Sequence, residues 1–385
     1  MGLRILQVAS GMPGWAGTEK HIMDIAPVLA RRGHQVTIAC RPGSEIERRA
    51  APLGLPVVHL VMRRTHDWRQ LPRFFRALRG RYDVVHIHSY RDYIVPAAAA
   101  RLARIPAVVM TRHLPHPFRN RLTAYLCSKV FFGAIIAVSE SIRRTLLSSG
   151  AKADRVFVVE NGIDLSPWQG PENTSIRFEL GIPAGTFVVA AAGRLAAEKG
   201  FDVLLRAVAL VRSRGVDVAC IVAGQGEQLP FLEQLRTELG LGSRVHFLGF
   251  RRDMPAVFAA ADVVAVPSTW QEPFGYTVVE AFATGRPVIA SRVGGIPEIV
   301  TPDTGYLTPP GDAERIARAI EALATDPGRR AAIGEAARRR AQDFSLDKCV
   351  QGIEAVYEAL VPRTPSLFGA GPENSVPCRS DRTEQ

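Results

Sequence analysis

One pattern constrains this chain more than any other. Short, continuous Val/Ile/Ala runs alternate with segments of helical period, and the whole alternation occurs twice. In the first half the runs are Leu3–Ala9, Val36–Ala39, Val57–Leu60, Val84–His88, Val108–Thr111, Ala134–Val138 and Val156–Val159. In the second half they are Phe187–Ala192, Val218–Ala223, Val245–Leu248, Val263–Val266 and Val288–Ala290. Runs that are apolar at every position, rather than at every second one, signal strands covered on both faces. Strands separated by helices give parallel, doubly wound sheets. The expected fold class is therefore α/β, with two Rossmann-like doubly wound domains facing each other across a cleft. At 385 residues the chain has the length for two domains. The Gly/Pro-bearing stretch 161–171 divides the halves, giving domains at 1–165 and 166–345. A helix over 346–362 is expected to cross back to the first domain, and the Pro-bearing tail 363–385 is expected to be disordered.

The charge is divided as unevenly as the pattern is repeated. Residues 1–165 hold 25 Lys and Arg against 11 Asp and Glu, whereas residues 166–385 hold 23 against 26. A basic half joined to a near-neutral one points to an anionic partner, whether nucleic acid, lipid headgroup or phosphorylated substrate. Five widely spaced cysteines with no CxxC pair exclude a disulfide framework or zinc ribbon and fit a reducing, cytoplasmic setting. No uncharged apolar run reaches the length of a spanning helix. The apolar stretch at the start is too short for a secretory signal and reads as a first buried strand.

Ligands of doubly wound sheets bind outside the carboxyl ends of the strands, so the loops that follow the runs are where chemistry is expected. The first such loop, Gly11 to Glu19, lacks the GxGxxG of a nicotinamide site, but its glycines ahead of a helix suit an anion. In the second half, Gly193-Arg194 to Lys199-Gly200 sets two cations five residues apart, suited to a diphosphate. Gly224-Gln225-Gly226-Glu227 permits close backbone approach. Glu272 lies in a loop and Glu280 inside the following helix, which starts near Gly275–Tyr276. Eight helical residues span about 12 Å, enough for two carboxylates to grip hydroxyls at opposite ends of a diphosphate-linked sugar. The backbone N–H groups of Phe274, Gly275 and Tyr276 would face the phosphates between them.

Asn161-Gly162-Ile163-Asp164, Gly193-Arg194 with Glu198-Lys199-Gly200, Glu272 with Glu280, Gly294-Gly295-Ile296-Pro297-Glu298 and Pro310-Gly311-Asp312 together resemble the retaining GT-B glycosyltransferases of family four. The likeness extends over residues 3–360, including Arg31-Arg32-Gly33-His34 and Val138-Ser139-Glu140. It implies transfer of a hexose-type sugar from a nucleotide diphosphate donor with retention of configuration. By family role, Arg194 and Lys199 would stabilise the departing diphosphate, Glu280 would hold the ribose and Glu272 the donor sugar. Gly17 would approach the diphosphate from the first domain, Phe250 and Arg251 would border the base, and His113 would contact the sugar near the reacting carbon. The chain has Ala16-Gly17 where the family often has two glycines.

No cofactor is expected. No Asp-x-Asp pair occurs in the chain, so protein cations, rather than a metal, are expected to oppose the leaving charge. His86 and His88 share one strand face, but no third ligand is evident nearby in sequence, so no metal is expected there either. Arg112, His116, Arg119 and Arg121, in a stretch that mixes cations with aromatics up to Phe132, are the candidate acceptor-binding residues. They suggest a glycan or lipid-linked acceptor, such as lipopolysaccharide core, met at the inner face of an anionic membrane. The Arg-rich segment Trp68–Arg79 has its apolar positions on one helical face and reads as packed on the core. Two other readings remain: a sugar-nucleotide epimerase or phosphorylase on the same fold, and a basic nucleic-acid-binding protein. No zinc finger, RNP strand or KH loop supports the last, so no nucleic acid is expected.

Overall fold

The computed structural model describes residues 2–9, 17–60, 67–88, 93–170 and 175–361. The glycine loop over 11–16 and the tail 363–385 therefore lie outside the described residues.

Thirteen strands form two sheets among the described residues. The first holds β1 (Arg4–Val8), β2 (Gln35–Cys40), β3 (Val57–His59), β4 (Val84–Ile87), β5 (Ala107–Arg112), β6 (Ala134–Ala137) and β7 (Val156–Val158). The second holds β8 (Phe187–Ala192), β9 (Val218–Ala223), β10 (Val245–Gly249), β11 (Val263–Val266), β12 (Val288–Ser291) and β13 (Gly305–Thr308). Their orders are β3-β2-β1-β4-β5-β6-β7 and β10-β9-β8-β11-β12-β13. Every pairing is parallel, with Ile5 facing Val36 on one side and Val84 on the other. The central strands are buried along their whole length, as in β5 and β9, which is why they read as unbroken apolar runs. The expected fold class is thus the observed one. β13 went unread because it is an edge strand: Tyr306 and Leu307 are only half buried, so its sequence carries no continuous apolar run. Trp68 departs from the packed face expected of its segment and stands 50% exposed.

Each sheet has one place where the strand order reverses, between β1 and β4 in the first and between β8 and β11 in the second. At such a point the two flanking connections leave in opposite directions and open a crevice. Both crevices lie at the carboxyl ends of strands, where the chemistry-bearing loops were expected.

Several contacts tie the halves together. Glu298, on a short helix of the second half, accepts from the backbone N–H groups of Glu140 and Ser141, both at 2.7 Å. It thereby caps the helix Glu140–Ser148 from outside, alongside that helix's own cap Ser139, which also donates to the Pro273 carbonyl at 2.7 Å. A carboxylate at a helix N-terminus satisfies orphan donors and the dipole together. Glu298→Ala should therefore lower stability by about 2 kcal/mol, read as a lower urea midpoint. An unchanged midpoint would show that the latch carries no energy. Finally, the helix Leu346–Leu360 reaches the first sheet, where Tyr357 is wholly buried and Glu354 pairs with Arg32 (2.8 Å) and His34 (2.9 Å).

Candidate active site

The second crevice is floored by loops that follow β8, β9 and β10. Gly193 N–H donates to the Ala223 carbonyl (3.0 Å) and Gly224 N–H to the Gly249 carbonyl (2.8 Å). Gly224 sits at φ +147°, and a Cβ there would lie 1.8 Å from the Gly193 oxygen, so only glycine lets the two loops close on each other. This gives the Gly224–Gly226 segment an architectural reason beyond ligand approach.

On that floor stand Arg194 and Lys199. The Lys199 ammonium is 2.5 Å from Glu272 Oε1, which also accepts from Ser268 Oγ at 2.6 Å. The structure therefore brings two residues 73 positions apart into direct contact. Arg194 is exposed and bonds Glu198, four residues on, with Glu227 at 3.9 Å. Phe250 is largely exposed beyond the end of β10, and Arg251 is engaged by Glu179 (2.9 Å) and Asp253 (2.7 Å). Both border the crevice floor through Gly249, yet the Arg251 charge is already satisfied.

The helix Tyr276–Ala283 begins two residues after the buried Phe274. Its N-cap, Gly275, has φ +130° and offers no side chain to the first turn; Val278 N–H donates to the Gly275 carbonyl at 3.0 Å, which leaves the N–H groups ahead of it for an anion. Across from it runs the helix Gly17–Arg31. Gly17 is near enough to Tyr276 that a Cβ would touch its ring at 3.9 Å, and the Lys20 ammonium lies 5.3 Å from the Tyr276 ring centroid. The Tyr276 hydroxyl is buried with no partner. Burial pushes the Glu280 carboxyl above its usual range, with the Lys20 charge opposing and Asp24 adding to the rise. Tyr276 was expected from sequence to face the phosphates through its backbone N–H, whereas Lys20 was given no role. The signal was the unremarked spacing of Lys20, three residues past Gly17.

The first crevice holds a histidine network. His88 and His113 follow the ends of β4 and β5, and His21 lies in the helix after β1. Gln7 Nε2 donates to the Tyr357 hydroxyl at 3.2 Å, and that hydroxyl lies 2.6 Å from His86 Nδ1. His86 Nε2 is 2.6 Å from Thr111 Oγ1, and His88 Nε2 is 2.6 Å from Gln7 Oε1. Because an amide oxygen only accepts, His88 carries its proton on Nε2 and presents the Nδ1 lone pair to His113 Nε2, 3.2 Å away. His113 therefore donates from Nε2 and keeps Nδ1 as an acceptor. Burial holds His21 down at about 3, the Lys20 charge adding to the effect. Burial likewise holds His86, His88 and His113 well below the usual imidazole range, with neighbouring imidazoles and, for His113, Arg112 adding. All four are neutral at pH 7.

Sequence spacing found no third ligand beside His86 and His88. The fold gathers two others around His88 and leaves His86 out: nitrogens of His21, His88 and His113 all fall within 4.8 Å of one another. Among the described residues this is where three side chains converge closely enough to hold one metal ion. Both His21 nitrogens are buried without a hydrogen-bond partner. That grouping joins β4, β5 and a helix, so no local motif could announce it.

The candidate acceptor residues divide. Arg112 is buried, bonds the His116 carbonyl and lies 5.1 Å from the Phe118 ring centroid. It holds the loop rather than projecting from it. His116, Arg119 and Arg121 are exposed on that same loop and the helix start.

These features, two facing α/β halves with a cation-bearing cradle in the second, suit an enzyme that holds an anionic ligand between two α/β domains. Residues 172–340 match the family described as Glycosyl transferases group 1, and residues 15–167 match Glycosyltransferase Family 4. D-inositol 3-phosphate glycosyltransferase of Corynebacterium aurimucosum is 32% identical over 392 residues, covering 91% of this chain and 92% of its own. Anabaena Alr3699/HepE, solved in complex with UDP, superposes with a TM-score of 0.83 at 29% identity, covering 93% of this chain and 100% of that one. The lipopolysaccharide outer core galactosyltransferase WaaB superposes with a TM-score of 0.74 at 15% identity, over 93% of this chain and 99% of its own, and shares the fold alone. The chain belongs to the family-four, group 1 glycosyltransferases, and its fold is GT-B.

Proposed function

We propose that this glycosyltransferase moves a hexose from a UDP-sugar to a hydroxyl of a phosphate-bearing acceptor, with retention and without a metal. One observation carries the reading: Lys199, paired with Glu272, stands with Arg194 over the crevice of the second sheet. In use, the bond between the anomeric carbon and the diphosphate oxygen breaks, and a bond to the acceptor oxygen forms. The acceptor proton passes to the diphosphate. Arg194, Lys199 and the uncapped N–H groups at Gly275–Tyr276 oppose the charge that develops on the diphosphate. Glu272, freed from Lys199 as the phosphates arrive, binds donor-sugar hydroxyls, and Glu280 binds the ribose. His113 contributes by being neutral. It can hydrogen-bond the sugar without setting a second positive charge beside the anomeric carbon as that carbon loses its bond.

The donor assignment is supported by HepE, whose solved complexes hold UDP, UDP and glucose, and UDP-glucose. For the acceptor, lipopolysaccharide core was the expectation from sequence. The relatives sharing substantial sequence are instead named for D-inositol 3-phosphate. We therefore widen the acceptor to a phosphorylated polyol or lipid-borne glycan, met by His116, Arg119 and Arg121. Among the described residues no helix is long and apolar enough to cross a membrane. The proposed setting is the cytoplasm and the inner membrane face.

A thermal-shift screen of UDP-, GDP-, ADP- and TDP-sugars tests the donor, since ligands that bind the folded state raise its melting temperature by mass action. UDP-sugars should give the largest rise. A flat response to all four would reject the proposal. The configuration of the product's anomeric carbon, read by NMR, tests retention.

A further inference from the structure

The helix Arg121–Leu126 and the π-helical turn Cys127–Phe131 that continues it bury Ala124, Cys127 and Ser128 against the first domain. The opposite face is not polar. Leu122 is 66% exposed, Tyr125 44%, Leu126 36% and Val130 49%. With Lys129 they make up the exposed side of this segment, opposite the buried Ala124, Cys127 and Ser128, and form one stripe. Leu102 is 60% exposed at the end of the neighbouring helix Ile94–Leu102. Arg101 of that helix donates to the Val130 and Phe131 carbonyls at 3.0 and 3.1 Å, fixing the two elements side by side. Isolated exposed apolar residues are ordinary, but a contiguous stripe is not.

The stripe is framed by cations. From residue 93 to 139 the chain has six Arg and Lys and no Asp or Glu. Among the described residues Arg119, Arg121 and Lys129 have no carboxylate partner, and the Lys152 ammonium lies 5.7 Å from the Tyr125 ring centroid. The helix Leu71–Leu78, which packs against Ile94–Leu102, extends the basic surface through Arg73 and Arg76. The charge excludes a partner of like sign, and the apolar side chains exclude one that is only ionic.

We infer that this face is a docking surface for an anionic lipid membrane, with Leu122, Tyr125, Leu126 and Val130 entering the headgroup boundary and the surrounding Arg and Lys meeting lipid phosphates. Such a surface combines burial of apolar area with attraction to anionic headgroups. Its position follows from the fold. The helix begins at the loop that carries His113, so a docked protein holds the first crevice close to the membrane plane, within reach of a lipid-borne acceptor. The inference goes beyond the transfer reaction and needs no donor.

Cosedimentation with vesicles tests it, using phosphatidylcholine alone and with about 30% phosphatidylglycerol. The chain should bind the anionic vesicles at least about tenfold more, less at high salt. Leu122→Ser with Val130→Ser should cut binding about tenfold, as should Lys129→Glu with Lys152→Glu. UDP-induced thermal shifts, which also report folding, should not change in either variant. No binding to anionic vesicles, or binding unchanged by the two Ser substitutions, overturns the inference. So does a dimer seen by light scattering that those substitutions split while vesicles stay unbound, which would give the stripe to a second copy. A chain that binds vesicles but no UDP-sugar keeps this surface and loses the proposed reaction; the converse loses only the surface.

Discussion

Lys199→Ala should lower turnover about a hundredfold while leaving the fold intact. The ammonium stands with Arg194 over the crevice, and removing a single preorganised donor from a developing anion costs about 3 kcal/mol in comparable sites. Two effects compound here. The diphosphate loses a cation, and Glu272 loses the partner that lies 2.5 Å away, keeping only Ser268. A carboxylate left half-satisfied at a phosphate site also repels the donor, so donor KM should rise with the fall in kcat. Glu272→Gln in the same background separates the two: it should restore donor binding in part without restoring turnover. Steady-state kinetics with a UDP-sugar, beside circular dichroism, makes the measurement. Wild-type turnover in Lys199→Ala would remove that residue from the site.

Acid should destabilise the first domain well above the pH at which carboxylates titrate. His21, His86 and His88 are buried and His113 is half-buried; all four are neutral, with folded values well below that of a free imidazole. The unfolded chain takes up protons from about pH 6.5, and the folded one does not, so stability falls as pH drops through that range. Each group removes about 1.2 kcal/mol between pH 7 and 5.5, and the four together at most about 5 kcal/mol. For His21 the loss continues to about pH 3. Asp24 and Glu280, whose carboxyls are raised by burial, work in the opposite sense, because they bind protons in the folded state before the unfolded one. The steep loss should therefore begin near pH 6.5, where the unfolded imidazoles start to take up protons. Urea unfolding at stepped pH reads it. His21→Leu, at a site where both ring nitrogens already lack partners, should remove one group's share of the slope. A midpoint flat from pH 7 to 5.5 would show that the four imidazoles are not shielded as the structure places them.

Much of the fold was legible because both sheets are parallel and covered on each face. Twelve of the strands announce themselves as apolar runs, and β13 escaped because an edge strand needs no such run. The local placement of the proposed donor residues was legible too, since Arg194, Lys199 and Glu272 lie on loops and Glu280 inside a helix, each with strong local grammar. The first crevice was not. His113 was named through resemblance, but its partners come from elsewhere: His88 from β4, Gln7 from β1, and behind them Tyr357, 350 residues from Gln7. Arg112 shows the reverse error. A basic residue in an Arg-rich stretch reads as surface, yet the last position of a central strand is covered on both sides, and there the guanidinium turns inward to the His116 carbonyl.

The sequence by itself determined the two-sheet architecture, the uneven charge and the positions of the glycine- and cation-bearing loops that follow the strands, because each is written in residues close together along the chain. Hydrophobic period and turn chemistry act over a few residues and need no knowledge of what packs against them. Tertiary structure alone decided which distant groups meet: Lys199 with Glu272, Glu298 with the helix at Glu140, and three imidazoles at one point. It also decided which apolar side chains stay outside. Leu122 and Ala124 stand two residues apart on one helix, and only the position of the sheet beneath it makes one core and leaves the other facing solvent.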